Sequence, residues 1–199
     1  MRFFGLVAIS LLALSVGTFG GASLQAEEGV FELQAANPQP KPEELEAGLA
    51  VHYAYGDVGE NNELANAEVF LSNAENPEIG VLPHLNFENG PKTLTSGHGA
   101  LTLAQIDGYV RLAKGQQSYT VWSNDGVRIK LGGALIYNDD DRHPCDNALG
   151  PVTVNVPEDG WYEVSILYFN RNGTSCLVIE DANEEAIPAE SLAHQKKQH

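Results

Sequence analysis

The sequence has 199 residues, of which 43% are apolar, enough for one domain with a substantial hydrophobic core. It has 11 Lys and Arg against 27 Asp and Glu, a formal net charge of −16. So acidic a surface repels phosphate backbones, which excludes nucleic acid as a partner. The charge is typical of a solubilising surface, and the alternative is a surface that recruits cations.

Residues 1–26 have the pattern of a secretory signal peptide. Arg2 gives a positive start, residues 3–16 are almost continuously apolar, and small residues follow. Cleavage after Ala22 and cleavage after Ala26 both fit this pattern. Because the apolar run is too short for a membrane span, we expect an exported protein, extracellular or periplasmic, that is not embedded in a membrane. Removing Arg2 leaves 10 basic and 27 acidic residues, a formal charge of −17.

The segment after the leader is polar. Residues 27–47 are predicted to form a linker with one short helical turn, because Pro38, Pro40 and Pro42 interrupt anything longer. From residue 48 onwards, apolar side chains occupy every second position. This alternation predicts a strand with four residues on one face, Leu49, Val51, Tyr53 and Tyr55.

Residues 56–97 show no sustained periodicity and are rich in Asn, Gly, Pro and Glu. We predict a long irregular segment with one short strand at residues 69–71. So long a loop is uncommon inside a compact domain, and it is either functional or poorly ordered. The apolar spacing of residues 101–112 fits a helix or a strand, and Tyr109, Val110 and the nearby glycines favour a strand.

The central feature of the sequence is the segment 118–133. Apolar and polar side chains alternate over residues 119–122 and again over residues 127–131. Between these runs, Asn124-Asp125-Gly126 favours a turn, and Asp-Gly in this position is typical of a β-hairpin. Residues 134–137 are predicted to extend the second strand. The hairpin would place an amide and a carboxylate beyond the end of a rigid sheet, where a binding site can lie.

More strands follow the central segment. A loop at residues 138–150 carries three consecutive aspartates, Asp139 to Asp141. Alternation and turn signals then predict strands at residues 152–156, 161–169 and 176–180. Short strands separated by turns about every ten residues predict an all-β sandwich or barrel at residues 48–180. The polar residues 181–199 are predicted to form a loose tail.

The chain has two cysteines, Cys145 and Cys176. In an exported protein the two are expected to form a disulfide. The bridge would enclose residues 146–175 and add roughly 3–4 kcal/mol in the chain-entropy model. The alternative is a catalytic thiol, which requires an electropositive setting. This acidic chain offers little positive charge for one.

The order of several short segments resembles the PA14 domain family, over about residues 48–180. The segments are Asp107–Val110, Tyr119, Ser123–Val127, Leu131–Gly133, Val152–Val154, Asp159–Tyr162 and Ile166–Phe169. The resemblance implies an antiparallel β-sandwich. Domains of this family occur in extracellular glycan-binding modules, adhesins, glycosidase accessory domains and some toxins.

The resemblance also implies a calcium site. In lectins of the family, two adjacent aspartates on one loop and an asparagine on a second loop hold Ca²⁺, and the ion coordinates sugar hydroxyls. These positions fall on Asn124, Asp125 and Asn170, which are the candidate metal ligands. Asn172 lies beside them, and all four are candidate ligand-binding residues. Asn124 departs from the family pattern, and because it is neutral it lowers the expected affinity, although calcium accepts amide oxygens.

The same residues also have simpler explanations. Asn124-Asp125-Gly126 is a good hairpin turn on its chemistry alone, and Asn170 and Asn172 are common turn residues. The run Asp139 to Asp141 is either a solvated loop or a source of negative potential at the site. In a simple meander, the loops at residues 124 and 170 lie at opposite ends of the sandwich. The loops meet only if the connection 138–151 crosses between ends, as in a Greek key.

No catalytic constellation is present in the sequence. It lacks a G-x-S-x-G motif and a paired-histidine zinc motif, so we expect a protein that is not an enzyme. The leading hypothesis is a secreted lectin-like or adhesin-like module that uses Ca²⁺ to bind a glycan on a cell surface or matrix. The alternatives are a metal-free structural or interaction module of a secreted assembly, and an accessory domain for a catalytic partner on another chain.

Overall fold

The computed structural model of the protein describes residues 29–61 and 63–196. In this range two β-sheets enclose a hydrophobic core, which confirms the predicted β-sandwich. The helices are the 3-10 turn Pro42–Glu44, the α-helix α1 (Glu63–Ser72) and the 3-10 turn Ala189–Ser191. The strands are β1 (Val30–Glu32), β2 (Leu45–Ala47), β3 (Leu49–Tyr55), β4 (Glu78–Leu82), β5 (Asn86–Gly90), β6 (Thr102–Leu112), β7 (Gly115–Asn124), β8 (Val127–Leu131), β9 (Ala134–Asp139), β10 (Val152–Val156), β11 (Gly160–Asn170), β12 (Ser175–Asp181) and β13 (Leu192–Gln195).

The two sheets differ in size. The small sheet has the strand order β1-β10-β7-β12-β5, and only β1 and β10 pair in parallel. The large sheet has the order β2-β13-β6-β11-β8-β9, with β3 on the far part of β6 and β4 beside β3. Its centre is the pair β6 and β11, in register from Thr102↔Asn170 to Leu112↔Gly160.

The core lies between the inner faces of the two sheets. The predicted inward faces of three strands are confirmed as buried, because apolar residues occupy alternate positions that point to one side. These residues are Leu49, Val51 and Tyr53 of β3, Val127, Ile129 and Leu131 of β8, and Tyr162, Val164, Ile166 and Tyr168 of β11.

The segment 56–97 is where the structure differs most from the sequence prediction. Residues 63–72 form α1, so the strand predicted at residues 69–71 is wrong, and β4 and β5 follow the helix. The buried side chains Leu64 and Ala67 lie three residues apart on one helix face. They pack on an outer patch of the large sheet formed by Ala54, Leu103, Leu167 and Phe169. This apolar patch needs a cover, and α1 provides it.

The predicted hairpin at Asn124-Asp125-Gly126 is wrong. β7 pairs with β10 and β12 in the small sheet, and β8 pairs with β9 and β11 in the large sheet. The chain therefore crosses between sheets at these residues. A two-residue hairpin turn requires left-handed backbone, and neither Asp125 nor Gly126 has a positive φ. Gly126 is required for space instead, because a Cβ there would lie 2.4 Å from a ring carbon of Phe169.

A real hairpin joins β8 to β9, so residues 134–137 do not extend β8 as predicted. Its turn is Gly132-Gly133, with φ of +51° and +80°, and a Cβ on Gly132 would lie 2.9 Å from the carbonyl oxygen of Gln34. This additional reversal places the loop at residue 124 and the loop at residue 170 at the same end. The connection 139–151 crosses between sheets at that end and does not cross between ends.

Both predicted flanking segments contribute strands to the sandwich. In the segment 27–47, β1 pairs with β10 and β2 pairs with β13, and Leu33 is only 4% exposed. In the segment 181–199, β13 pairs with β6 and buries Leu192. The predicted linker and tail are thus corrected at these strands, because a few apolar residues and backbone pairing suffice to dock them. The predicted signal peptide, residues 1–26, lies outside the described residues.

We also compared the helix lengths with the thickness of a membrane. Over residues 29–61 and 63–196, no helix combines the length and the apolar character that a membrane crossing requires.

Candidate functional site

Two sheet-crossing loops meet at one end of the sandwich. The backbone N–H of Arg171 donates a hydrogen bond of 2.7 Å to Oδ2 of Asp125, and the N–H of Asp125 donates to the carbonyl of Phe169. Asp125 is only 6% exposed. The peptide bond between Asn124 and Asp125 is cis. These contacts join the loop at Asp125 to the loop at Arg171, so the two loops that carry the candidate residues lie at the same end of the sandwich.

The side chain of Asn170 has a fixed orientation. Its Nδ2 donates to Thr93 Oγ1 at 3.0 Å and to the Gly99 carbonyl at 2.8 Å. Two acceptors on the nitrogen identify the other terminal atom as the oxygen. That oxygen, Oδ1, is fully buried and accepts no hydrogen bond from the described residues. A buried acceptor without a partner costs about 1–3 kcal/mol, so this atom is a place for a donor or a cation.

Asn124 and Asn172 lie on the same two loops. Asn124 is half-buried, pairs with Cys176 in the ladder, and accepts a hydrogen bond on its carbonyl from the Tyr168 hydroxyl. Asn172 is exposed, in the turn between β11 and β12. The structure thus places all four candidate residues at one end, and their roles as ligands stay a prediction.

Two of the three consecutive aspartates, Asp139 and Asp140, have separate structural roles. Asp139 is 3% exposed, and its Oδ2 lies 3.0 Å from Nε2 of His143. Asp140 accepts a hydrogen bond of 2.6 Å from the N–H of Leu64, which anchors the start of α1. Asp141 is exposed. The loop does not simply add negative potential, because the first two carboxylates already have protein partners.

The loop instead brings positive charge towards Asp125. Burial raises the pKa of Asp125, and the nearby His143, the backbone N–H of Asn172 and Arg142 offset part of this rise. Burial also opposes the charged form of His143, but the Pro144 carbonyl and two carboxylates outweigh it and raise the pKa of His143. Asp125 is therefore a buried carboxylate whose charge is only partly compensated.

The predicted disulfide is confirmed. Cys145 and Cys176 are bonded, with 5.7 Å between their Cα atoms. Because Cys176 is the ladder partner of Asn124, the bridge ties the 139–150 loop beside the candidate site. The ladder pair of Ser123 and Asp146 adds a second attachment of the same loop.

The donor atoms at this end suit calcium. Calcium binds carboxylate and amide oxygens, and Asp125 and Asn170 supply one of each; the amide oxygen accepts no competing hydrogen bond from the described residues. Over the described ranges, no three His, Cys, Asp or Glu side chains are grouped to hold an ion. A site here therefore depends on amide and backbone oxygens for most of its ligands.

Several residues that shape the site were missed by the sequence analysis. Thr93 and Gly99 orient Asn170 from a loop that showed no pattern, and Arg171 contributes only its backbone N–H. His143 had only its position in the aspartate-rich loop as a signal. Long-range contacts of this kind are not visible in local sequence patterns.

Several solved domains share this two-sheet arrangement. The PA14 domain of the antifreeze protein MpAFP superimposes with a TM-score of 0.66 at 15% identity, covering 79% of this chain and 96% of that domain. The PA14 sugar-binding domain of an RTX adhesin gives 0.59 at 16% identity, covering 74% and 98%. The epithelial adhesin 9 A domain of Candida glabrata, in complex with Galβ1-4GlcNAc, gives 0.59 at 11% identity, covering 84% and 97%.

The chain has the PA14 fold. No family model and no curated protein matches its sequence. At identities of 11–16%, these likenesses establish the fold and leave the function to be argued from the site.

Proposed function

We propose that the protein is a secreted carbohydrate-binding module, and that Ca²⁺ bound at Asp125 and Asn170 assists recognition of sugar hydroxyls on a cell surface or matrix. The observation that carries this proposal is the buried, unpaired Oδ1 of Asn170 beside the loop that holds Asp125. Two neighbours of the same fold support it, because one is named a sugar-binding domain and the other was crystallised with a disaccharide.

In this proposal each residue has a separate task. Asp125 supplies the main negative charge, and Asn170 and Asn124 supply neutral oxygens. Thr93 and Gly99 keep the Asn170 oxygen directed towards the ion by holding its nitrogen. The bound ion would offer its remaining coordination positions to two neighbouring sugar hydroxyls, so selectivity would come from the geometry of the diol. Binding, and not catalysis, is the proposed activity.

The disulfide supports the proposed location. Disulfides persist in oxidising compartments, which agrees with export from the cytoplasm.

Thermal unfolding with millimolar Ca²⁺ and with EDTA tests the metal site. An extracellular site with Kd of about 0.1–1 mM, measured at about 10 mM calcium, gains roughly 1.4–2.7 kcal/mol. For a domain of this size, that corresponds to a rise in Tm of roughly 3–10 °C. Asp125→Asn keeps the shape of the side chain and should abolish the rise.

Asp159→Asn is the matched control. Asp159 also accepts one backbone hydrogen bond, of 2.7 Å from Lys114, but at the other end of the sandwich. This variant should keep the full calcium response. A glycan array with Ca²⁺ and with EDTA then tests sugar recognition. If wild type and both variants melt identically in both buffers, the calcium mechanism is wrong, and a metal-free interaction module becomes the working explanation.

A further inference from the structure

The turn between β11 and β12 contains an Asn-Gly pair, Asn172-Gly173. Both residues are exposed, and an added Cβ on Gly173 would meet no atom within 4 Å. Neither the side chain of Asn172 nor the N–H of Gly173 makes a hydrogen bond to the described residues. Gly173 has a φ of +75°, a backbone region that glycine adopts without steric cost. The pair therefore has local freedom to change conformation.

The chain has a second Asn-Gly pair in a different setting. Asn89-Gly90 lies at the end of β5, and Gly90 is the register partner of Ser175. The Oδ1 of Asn89 accepts a hydrogen bond of 3.1 Å from the hydroxyl of Thr174. Any rearrangement of this pair first requires β5 to open, which costs free energy that an exposed turn does not require.

We propose that Asn172 is a site of spontaneous deamidation. The backbone nitrogen of Gly173 loses its proton to solvent hydroxide and attacks Cγ of Asn172, forming a C–N bond. The bond from Cγ to Nδ2 then breaks, and the nitrogen leaves as ammonia with a proton from water. Hydrolysis of the resulting five-membered imide gives aspartate or isoaspartate. Glycine favours this reaction because no side chain shields the attacking nitrogen.

Deamidation would add a carboxylate next to Asp125. The backbone N–H groups of Arg171 and Asn172 both favour the charged form of Asp125, so the new charge would arise on a residue whose own backbone faces that carboxylate. This consequence rests on the proposed function, because a second carboxylate strengthens a calcium site by raising its charge count.

Peptide mapping by mass spectrometry tests the modification itself. The full chain is incubated at mildly alkaline pH and 37 °C, reduced and digested, and each Asn-Gly site is followed with time. We expect a gain of about 1 Da at Asn172, at least about tenfold faster than at Asn89. Asn172→Gln should remove the faster signal and leave the Asn89 signal unchanged. Equal rates at the two sites, or no gain at Asn172, would overturn the proposal.

The variant Asn172→Asp tests whether a carboxylate at residue 172 strengthens the calcium site, and it separates this consequence from the proposed function itself. If both are right, this variant shows a larger calcium-induced rise in Tm than wild type, whereas Asn89→Asp matches wild type. If wild type responds to calcium and Asn172→Asp does not exceed it, the consequence is wrong. If wild type does not respond, the proposed calcium site fails, and the mass measurement still decides on deamidation.

Discussion

The two ends of the sandwich are built differently. The turn end holds short connections at residues 113–114, 132–133 and 157–159, and the loop end holds the segments around residues 125, 145 and 172, which carry the candidate site and the disulfide. Apart from tyrosines, every buried polar or charged side chain of the described residues lies at the loop end. These are Glu63, Thr93, Ser96, Thr102, Ser123, Asp125, Asp139, Asn170 and Ser175.

Hydrogen bonding separates the ends in the same way. Three buried side-chain atoms of the described residues lack a hydrogen-bond partner, and all three belong to loop-end residues: Glu63 Oε2, Ser123 Oγ and Asn170 Oδ1. A fourth buried atom at this end, Asp146 Oδ1, lies 3.0 Å from Nδ1 of His143 and so has an ion-pair partner. Burying polar atoms without partners opposes folding. The difference indicates that the turn end serves stability, whereas the loop end keeps costly polar groups in place for a task other than folding.

Among the changes that we consider, removing the disulfide should have the largest effect on the stability of the loop end relative to the turn end. Because only the loop end is cross-linked, the double variant Cys145→Ala, Cys176→Ala should lose about 2–4 kcal/mol, measured by urea unfolding. Limited proteolysis should then cut within residues 140–150 before it cuts at residues 157–159. Reduced wild type is the control and should behave like the variant. Unchanged stability would show that the loop end does not depend on the bridge.

Two tyrosines on the inner face of β11 allow a matched comparison of the ends. The hydroxyl of Tyr162 donates to the Glu158 carbonyl at 2.7 Å at the turn end, and the hydroxyl of Tyr168 donates to the Asn124 carbonyl at the loop end. Each Tyr→Phe change should cost about 0.5–1.5 kcal/mol. Only Tyr168→Phe should also reduce the calcium-induced rise in Tm. Equal calcium responses of the two variants would contradict the assignment of the site to the loop end.

The smallest effect we expect is on the pH dependence of stability in EDTA. A raised folded-state pKa of Asp125 means that the folded protein favours the neutral acid, so its contribution is present at low pH and lost as pH rises through that pKa. Wild type should therefore lose stability relative to Asp125→Asn as pH rises from acid towards neutral. The effect is small because His143 and Arg142 offset the burial. A difference that does not vary with pH would contradict the raised pKa.

Strand patterns in the sequence were a reliable guide to the core. The inward faces of β3, β8 and β11 follow directly from alternation, because one side of each strand faces the core between the two sheets and the opposite side does not. The helix α1 was missed because its two fully buried apolar residues, Leu64 and Ala67, are a weak signal among Asn and Glu. The spacing of Leu64, Ala67 and Leu71 was the available signal, since all three fall on one helical face.

The candidate site residues were identified from the sequence and their roles as ligands stay a prediction, whereas the way in which the two loops meet was not predictable. Local turn chemistry drew attention to Asn124 and Asp125, and only the family resemblance made Asn170 a candidate ligand. The same turn chemistry predicted a hairpin that does not form. Whether two consecutive strands such as β7 and β8 pair with each other depends on which other strands lie beside each of them in the fold. A short stretch of sequence does not contain that information. The flanking strands β1 and β13 were missed for the same reason, because three or four residues carry no period of their own.

Because the turn at Gly132-Gly133 adds one strand, it also determines what a scaffold must provide if the candidate site is grafted onto it: an even number of strands between the two loops. Four strands separate the loop at residue 125 from the loop at residue 172, and each strand reverses the course of the chain. With an even number of strands between them, the two loops lie at the same end of the sandwich, whereas an odd number would place them at opposite ends. A scaffold that receives these loops must therefore also have an even number of strands between them, whatever the sequences of the loops are. Gly132-Gly133, although remote from the candidate residues, is thus one of the features that bring them to the same end.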